Sequence, residues 1–415
     1  MAWIATTAAL ALLTQAGGPT ASEQKALIEA YFAADAKTEA GQRERRRIQR
    51  ELTPVELSPS AAPKELTAIL KRWEKGREFA KKPGRRFWWE QEEKGLYIVG
   101  GQMKKPKALA LCMHGGGKNE GDAGSAHQAY EPALTDLGWL AIYPEVLAKT
   151  ECGWIDAGTE EWVLELIDCA RRTWKIDPNR VYLCGHSMGG YGSWTLGAHH
   201  ADQLAAVAPS AGGPTPIFDR SGRMIDILEG VIPNLRNLAI RIYQSGDDPK
   251  VPPDANRFAV KQLEEAKARF GGYDFEYWEV NGHGHDAPPG GFEAHLAKIA
   301  EIERVTHPDT VVWQPTLAWK QQSYWLWWEQ PVKNTLVVAK IGPEKNTVRI
   351  TSTGDTRGLC VLVDPKLLDP KQEIFVYHNA VLAYRGIPVP NLGTTLATGA
   401  RGDPELAYTT RIALP

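Results

Sequence analysis

Val181-Tyr-Leu-Cys-Gly-His-Ser-Met-Gly-Gly-Tyr191 decides the fold. An apolar run enters Gly185-His186-Ser187-Met188-Gly189, and a helical pattern follows. A nucleophilic serine needs a sharp strand-to-helix turn that throws its hydroxyl clear of the backbone. Small residues two positions either side keep such a turn free of clashes. G-x-S-x-G alone carries little weight; the strand before it and the helix after it give it meaning.

Working outward, further short apolar runs occur at Ala108–Met113, Trp139–Tyr143, Leu204–Ala208, Leu238–Tyr243 and Phe275–Val280. Between them Trp162, Leu166, Ala170 and Trp174 recur every four residues, as on a helix that buries one face. Strand and helix in alternation predict an α/β domain over 96–305, a mostly parallel sheet with helices on both faces. Residues 22–95 read as a helical segment whose charged run (Arg43, Glu44, Arg45, Arg46, Arg47, Arg50) is a solvated face. Residues 306–415 read as an all-β module, with β-branched and aromatic runs separated by Gly, Pro and Asn. Met1–Ala16 resembles a secretory signal, cut after Ala16 or Ala21, although it lacks a basic start. The protein is therefore expected to be secreted or periplasmic.

Composition narrows the field. The chain has 415 residues, 43% of them hydrophobic and 24% charged, too apolar for a disordered protein. Its 48 basic residues against 50 acidic ones, a net charge of -2, give no electrostatic case for a nucleic-acid partner. No apolar stretch is long enough to span a membrane. Five scattered cysteines suggest neither a disulfide framework nor a zinc site, though Cys152 and Cys169 could pair. Cys112 and Cys184 fall in buried strands as small hydrophobes.

The stretch Asp177–Trp194, followed by Leu204-Ala-Ala-Val-Ala-Pro-Ser-Ala-Gly-Gly213, resembles the α/β-hydrolase superfamily. Within it, the chain is similar to the secreted branch of feruloyl and acetylxylan esterases and polyhydroxybutyrate depolymerases. Prolyl-oligopeptidase-type catalytic domains share much of the pattern. The resemblance covers about half the chain and implies where the other site residues lie. Ala108–Gly117 ends a strand in His-Gly-Gly-Gly, where a backbone N–H can face a developing oxyanion. The resemblance assigns that donor to Gly116, with Gly115 or Gly117 possible, and the second to the N–H of Met188. The acid follows the next-to-last strand, in Gln244–Pro252. The family pattern before Pro-x-Val-Pro selects Asp248, with Asp247 the runner-up. The base follows the last strand, in Asn281-Gly-His-Gly-His-Asp-Ala-Pro-Pro289, and G-H-x-x-P-P spacing selects His285 over His283.

Ser187, Asp248 and His285, in that order, imply an acyl-enzyme hydrolase with no metal or organic cofactor. The expected substrate is a carboxylic ester, small or borne on a decorated polysaccharide. A serine peptidase of the prolyl-oligopeptidase type is the alternative, but the segment before the core is too short for a propeller. A non-catalytic binding protein on a relict core is the third reading. His283-x-His285-Asp286 lacks an evident further metal ligand. His199 and His200 read as a solvated helix end. Trp313, Trp319, Trp325, Trp327 and Trp328 are expected to pack in the β module or against the hydrolase domain rather than form an exposed sugar platform.

Overall fold

The computed structural model describes residues 18–415, so the apolar start read as a signal lies outside the described residues. Three helices come first: α1 (Ala21–Ala33), α2 (Glu39–Leu52) and α3 (Ala62–Trp73). Thr20 and Glu23 close a reciprocal capping box on α1. Helical structure stops at Trp73, short of the expected boundary. Gly84-Arg-Arg-Phe-Trp-Trp89 is instead an edge strand, β1, paired antiparallel with β2 (Lys94–Gly101). Its arginines obscured the strand pattern, while Trp88 is buried against Phe79 and Tyr97.

The central sheet continues with β3 (Leu109–Met113), β4 (Leu140–Pro144), β5 (Val181–His186) and β6 (Ala206–Ser210). After a small hairpin, β7 (Pro216–Phe218) and β8 (Met224–Ile227), come β9 (Ala239–Ser245) and β10 (Phe275–Val280). Spatial order is β1-β2-β4-β3-β5-β6-β9-β10, parallel from β4 onward and antiparallel at β1 and β2. Alternate residues of β3 serve different faces. Leu109, Leu111 and Met113 join the core under α5 (Thr159–Trp174), α6 (Met188–His199) and α8 (Asp254–Phe270). Ala110 and Cys112 meet α4 (Ala123–Leu137) and α9 (Gly291–Ala297) on the other face. Burial on both sides explains why these strands read as unbroken apolar runs. A single turn, α7 (Val231–Asn234), precedes β9.

The C-terminal region holds two sheets. One has the order β11-β14-β15-β17-β18 (Thr310–Trp313, Val337–Ile341, Thr347–Ser352, Ile374–His378, Val381–Gly386). The other is β12-β13-β16-β19 (Gln322–Ser323, Leu326–Trp328, Leu359–Leu362, Arg411–Ala413). The region is not all-β. Leu392–Gly399 forms α10, which packs on α2 and α3 with glycines at both contacts. A Cβ at Gly393 would lie 2.6 Å from the Gln49 carbonyl oxygen. Its Gly- and Thr-rich sequence hides the helix.

Tyr324–Trp328 is a strand only from Leu326, because Tyr324 turns the chain at φ 49°. Trp313, Trp325, Trp327 and Trp328 are all buried. Trp325 donates to the Pro308 carbonyl (2.7 Å), and Tyr324 donates to the Ala201 carbonyl (3.0 Å), joining the C-terminal region to the segment after α6. Ion pairs tie the same seam. Asp202 accepts from Lys320 (2.7 Å) and Arg401 (3.0 Å), and Arg304 pairs with Asp403 (2.5 Å). His199 and His200 correct another expectation. Both are buried, and both meet one oxygen of Glu160, at 2.8 and 2.6 Å. Burial opposes ionisation of Glu160, yet the two imidazoles hold its carboxyl down at about 2. The helix end faces the C-terminal region rather than water. Cys152 is exposed and Cys169 buried, and both are free thiols.

Candidate active site

Ser187 occupies the turn between β5 and α6 at φ 59°, ψ -121°, a backbone region costly for a side-chain-bearing residue. The flanking glycines are there for space. A Cβ on Gly185 would stand 2.3 Å from the Gly189 carbonyl oxygen, and one on Gly189 would stand 2.1 Å from that of Met113. Ser187 is held by its N–H to Ser210 O (2.9 Å) and by its carbonyl, which accepts from Gly190 (2.8 Å).

Asp248 lies in the loop after β9 and His285 in the loop after β10. The structure brings them together with the serine. Asp248 Oδ2 is 2.7 Å from His285 Nδ1, and His285 Nε2 is 2.9 Å from Ser187 Oγ. Asp248 is buried, and its Oδ1 accepts the backbone N–H groups of Lys250 (2.9 Å) and Val251 (3.0 Å). A carboxylate pinned on both oxygens can hold only one imidazole tautomer, with Nδ1 as donor and Nε2 free to accept from the serine.

The rival residues fall elsewhere. Asp247 does not touch an imidazole. Its oxygens accept from Ser245 Oγ (2.5 Å) and from the N–H groups of Gly282 (3.0 Å) and Gly284 (3.2 Å). The Ser245 hydroxyl and those two amides keep its carboxyl below the usual range. Asp247 thus braces the loop that carries His285. The His283 ring makes no hydrogen bond among the described residues; its carbonyl accepts from Asp286 N–H (3.1 Å).

His186, to which the sequence assigns no role, bonds the elbow to the loop that carries His285. Its Nε2 is 3.1 Å from the His285 carbonyl, so Nε2 carries the proton, and Nδ1 accepts from Ser210 Oγ (3.0 Å). Burial, helped by the neighbouring His285, pushes its pKa down to about 4 and keeps it neutral. His114 does similar work for the glycine loop: Nδ1 donates to Gly115 O (2.8 Å), and Nε2 accepts from Val146 N–H (3.2 Å). Only a histidine adjoining the motif, with nothing periodic about it, could have hinted at either role.

Gly115 and Gly116 line the cavity of about 430 Å³ in front of Ser187, and Gly117 does not. A Cβ on Gly115 would come within 3.1 Å of Ser187 Cβ, so that loop closes directly on the serine. Gly116 adopts φ 137°, outside the range of other residues. Met188 begins α6, where helix N–H groups lack intrahelical acceptors. Ala126, Ala129, Tyr130 and Phe292 form an apolar wall, and Glu120, Lys250 and Asp286 add charged groups. Among the described residues, no group of three or more His, Cys, Asp or Glu is placed to hold a metal ion.

A strained serine between the fifth strand and its helix, with a carboxylate and a histidine from the last two strand ends, decides the fold. It is the α/β-hydrolase fold. No family model matches the chain. A bifunctional acetylxylan esterase/xylanase of Neocallimastix patriciarum is 30% identical over 146 residues. That match covers 31% of this chain and 22% of the relative, so the chain spans about a fifth of the relative's length. Among solved structures, a ferulic acid esterase of Anaeromyces mucronatus is similar at 18% identity and TM-score 0.37, over 56% of this chain and 95% of that one. An acetyl xylan esterase of Aspergillus awamori is similar at 12% identity and TM-score 0.38, over 48% and 92%.

Proposed function

We propose that this α/β hydrolase cleaves a carboxylic ester through an acyl-enzyme on Ser187. The observation that carries the reading is the continuous hydrogen-bonded chain Asp248–His285–Ser187. In this account His285 takes the Ser187 proton as Oγ attacks the acyl carbon, and Asp248 stabilises the resulting imidazolium. The N–H groups of Gly116 and Met188 receive the oxyanion, with Gly115 the neighbouring candidate for the first donor. The imidazolium then protonates the leaving alcohol. In the second half, His285 takes a proton from water as the water attacks the acyl carbon, and hands that proton to Ser187 Oγ as the acyl–oxygen bond breaks. Every step is served by side chains and amides of the chain itself. The partial match to an acetylxylan esterase/xylanase favours an ester on a decorated polysaccharide.

Hydrolysis of p-nitrophenyl acetate, acetylated and feruloylated xylans and peptide amides tests the proposal. Ester turnover with little amide turnover is expected, and Ser187→Ala should lower it by about 10⁴- to 10⁶-fold. Full ester turnover in Ser187→Ala, with the fold intact, overturns it; amide turnover alone points to a peptidase.

A further inference from the structure

Cys112 of β3 and Cys184 of β5 stand side by side behind Ser187, and both are buried free thiols. Their strands are parallel neighbours, and the register pairs the two residues directly. Adjacent strands run about 4.8 Å apart, within the roughly 4.4 to 6.8 Å between Cα atoms that a disulfide spans. Both side chains join the layer that meets α4 and α9, and their sulfurs are 3.0 Å apart. Unbonded carbon atoms rest about 3.5 to 4.0 Å apart, and sulfur is larger. Two cysteines serving only as small hydrophobes would keep that distance; these stand inside it. No other pairing is open to them. Cys169 is on α5 against the opposite face of the sheet, Cys360 is in the C-terminal region, and Cys152 is exposed after β4. The chain has no further cysteine.

The surroundings decide when a bond can form. The two thiols share a closed core layer with Tyr130, Tyr143 and Tyr182. Burial pushes the Cys112 thiol up, so the thiolate that disulfide exchange requires is scarce in the closed fold. Exchange therefore belongs to the folding chain, or to a chain whose core has opened. The thiolate of one cysteine attacks a low-molecular-weight disulfide and displaces one of its thiols. The other cysteine then attacks the sulfur of the first and displaces the second thiol. The cysteines together lose two protons and two electrons, and the outside disulfide is reduced to two thiols. The position gives such a bond a consequence. β3 runs from Cys112 through Met113 into His114-Gly115-Gly116, and β5 runs from Cys184 through Gly185 into His186-Ser187. Met113 and Gly185 are the last pair of the register, after which the strands part. A link one residue earlier fixes from behind the spacing at which Gly115 closes on Ser187. It also joins residues 72 positions apart, with α4, β4 and α5 between them, and so restricts the unfolded chain.

We propose that Cys112 and Cys184 form a stabilising disulfide when the chain folds in the presence of a low-molecular-weight disulfide, a cross-link behind the elbow and the glycine loop. It stands or falls apart from the ester chemistry proposed above, since neither thiol takes part in that chemistry. The test is to incubate the full chain with glutathione disulfide in urea near its unfolding midpoint, alkylate it in guanidinium and map its peptides without reduction. The peptides carrying Cys112 and Cys184 should be recovered joined to each other. The linked protein, returned to buffer, should melt at least about 5 °C above the same protein treated with dithiothreitol, as expected for a cross-link that closes so long a loop. Cys112→Ala should abolish that difference. The mapping needs no variant and decides the pairing even where Cys112→Ala does not fold. Alkylation of both Cys112 and Cys184 after the treatment overturns the proposal, as does a link from either to another cysteine. A linked protein that melts no higher than the reduced one overturns it too.

Discussion

Two histidines and two aspartates compete for the same chemistry within a few residues, and the contacts separate them. His285→Ala removes the group between Asp248 and Ser187 and should lower turnover about 10⁴-fold or more, whereas His283→Ala should leave it within a few-fold. Asp248→Asn should cost on the order of 10⁴-fold by disfavouring the needed tautomer. Asp247→Asn should cost far less, because Asp247 holds Gly282 and Gly284 rather than the imidazole. Purified variants compared at saturating ester, with folding checked by circular dichroism, give the ranking. A pH effect follows from His186 and His295, both pushed down to about 4 by burial. Neutral in the fold, each binds a proton near pH 6.5 once unfolded, so stability is full above about 6.5 and lost as pH falls toward 4. Urea unfolding between pH 7 and 4.5 should show this decline, shallower in His186→Gln. At this scale the meeting of Ser187, Asp248 and His285 was readable because each sits in a motif at a strand end. His186 and Asp247 were not, because their roles consist of bonds to distant backbone atoms that no local pattern encodes.

Among elements, legibility followed burial. Strands such as β3 and β5, buried on both faces, announce themselves as apolar runs, and α5 shows its buried stripe every four residues. β1 carries two arginines along an edge, and α10 needs glycine and threonine to approach α2 and α3, so both escaped. The elbow shows the same close approach used for function. Gly189→Ala would drive a Cβ into the Met113 carbonyl and should abolish both soluble expression and activity, unlike Gly117→Ala, where the nearest atom is 3.6 Å away. Trp325 is fully enclosed and bonded to Pro308, so Trp325→Ala should cost about 3 to 5 kcal/mol, read from chemical denaturation. Unchanged stability would return the aromatic segment to a surface role.

For the molecule as a whole, the C-terminal region is docked onto the hydrolase domain by buried charges and by Tyr324, which a tethered, freely moving binding module would not need. Calorimetry should therefore show one cooperative transition. Asp202→Asn leaves the buried Lys320 and the half-buried Arg401 without their shared carboxylate and should destabilise the chain by about 3 to 5 kcal/mol. Two separate transitions, or a neutral Asp202→Asn, would contradict this docking. The proposed ester cleavage nonetheless rests on a single oxygen, the Oγ that His285 reaches at 2.9 Å. Its most direct test is covalent: treat the folded protein with a fluorophosphonate and map the adduct by peptide mass spectrometry. We expect one adduct, on Ser187, formed in step with loss of esterase activity and strongly slowed in His285→Ala. An adduct on another residue, or inactivation that persists in Ser187→Ala, would contradict the account.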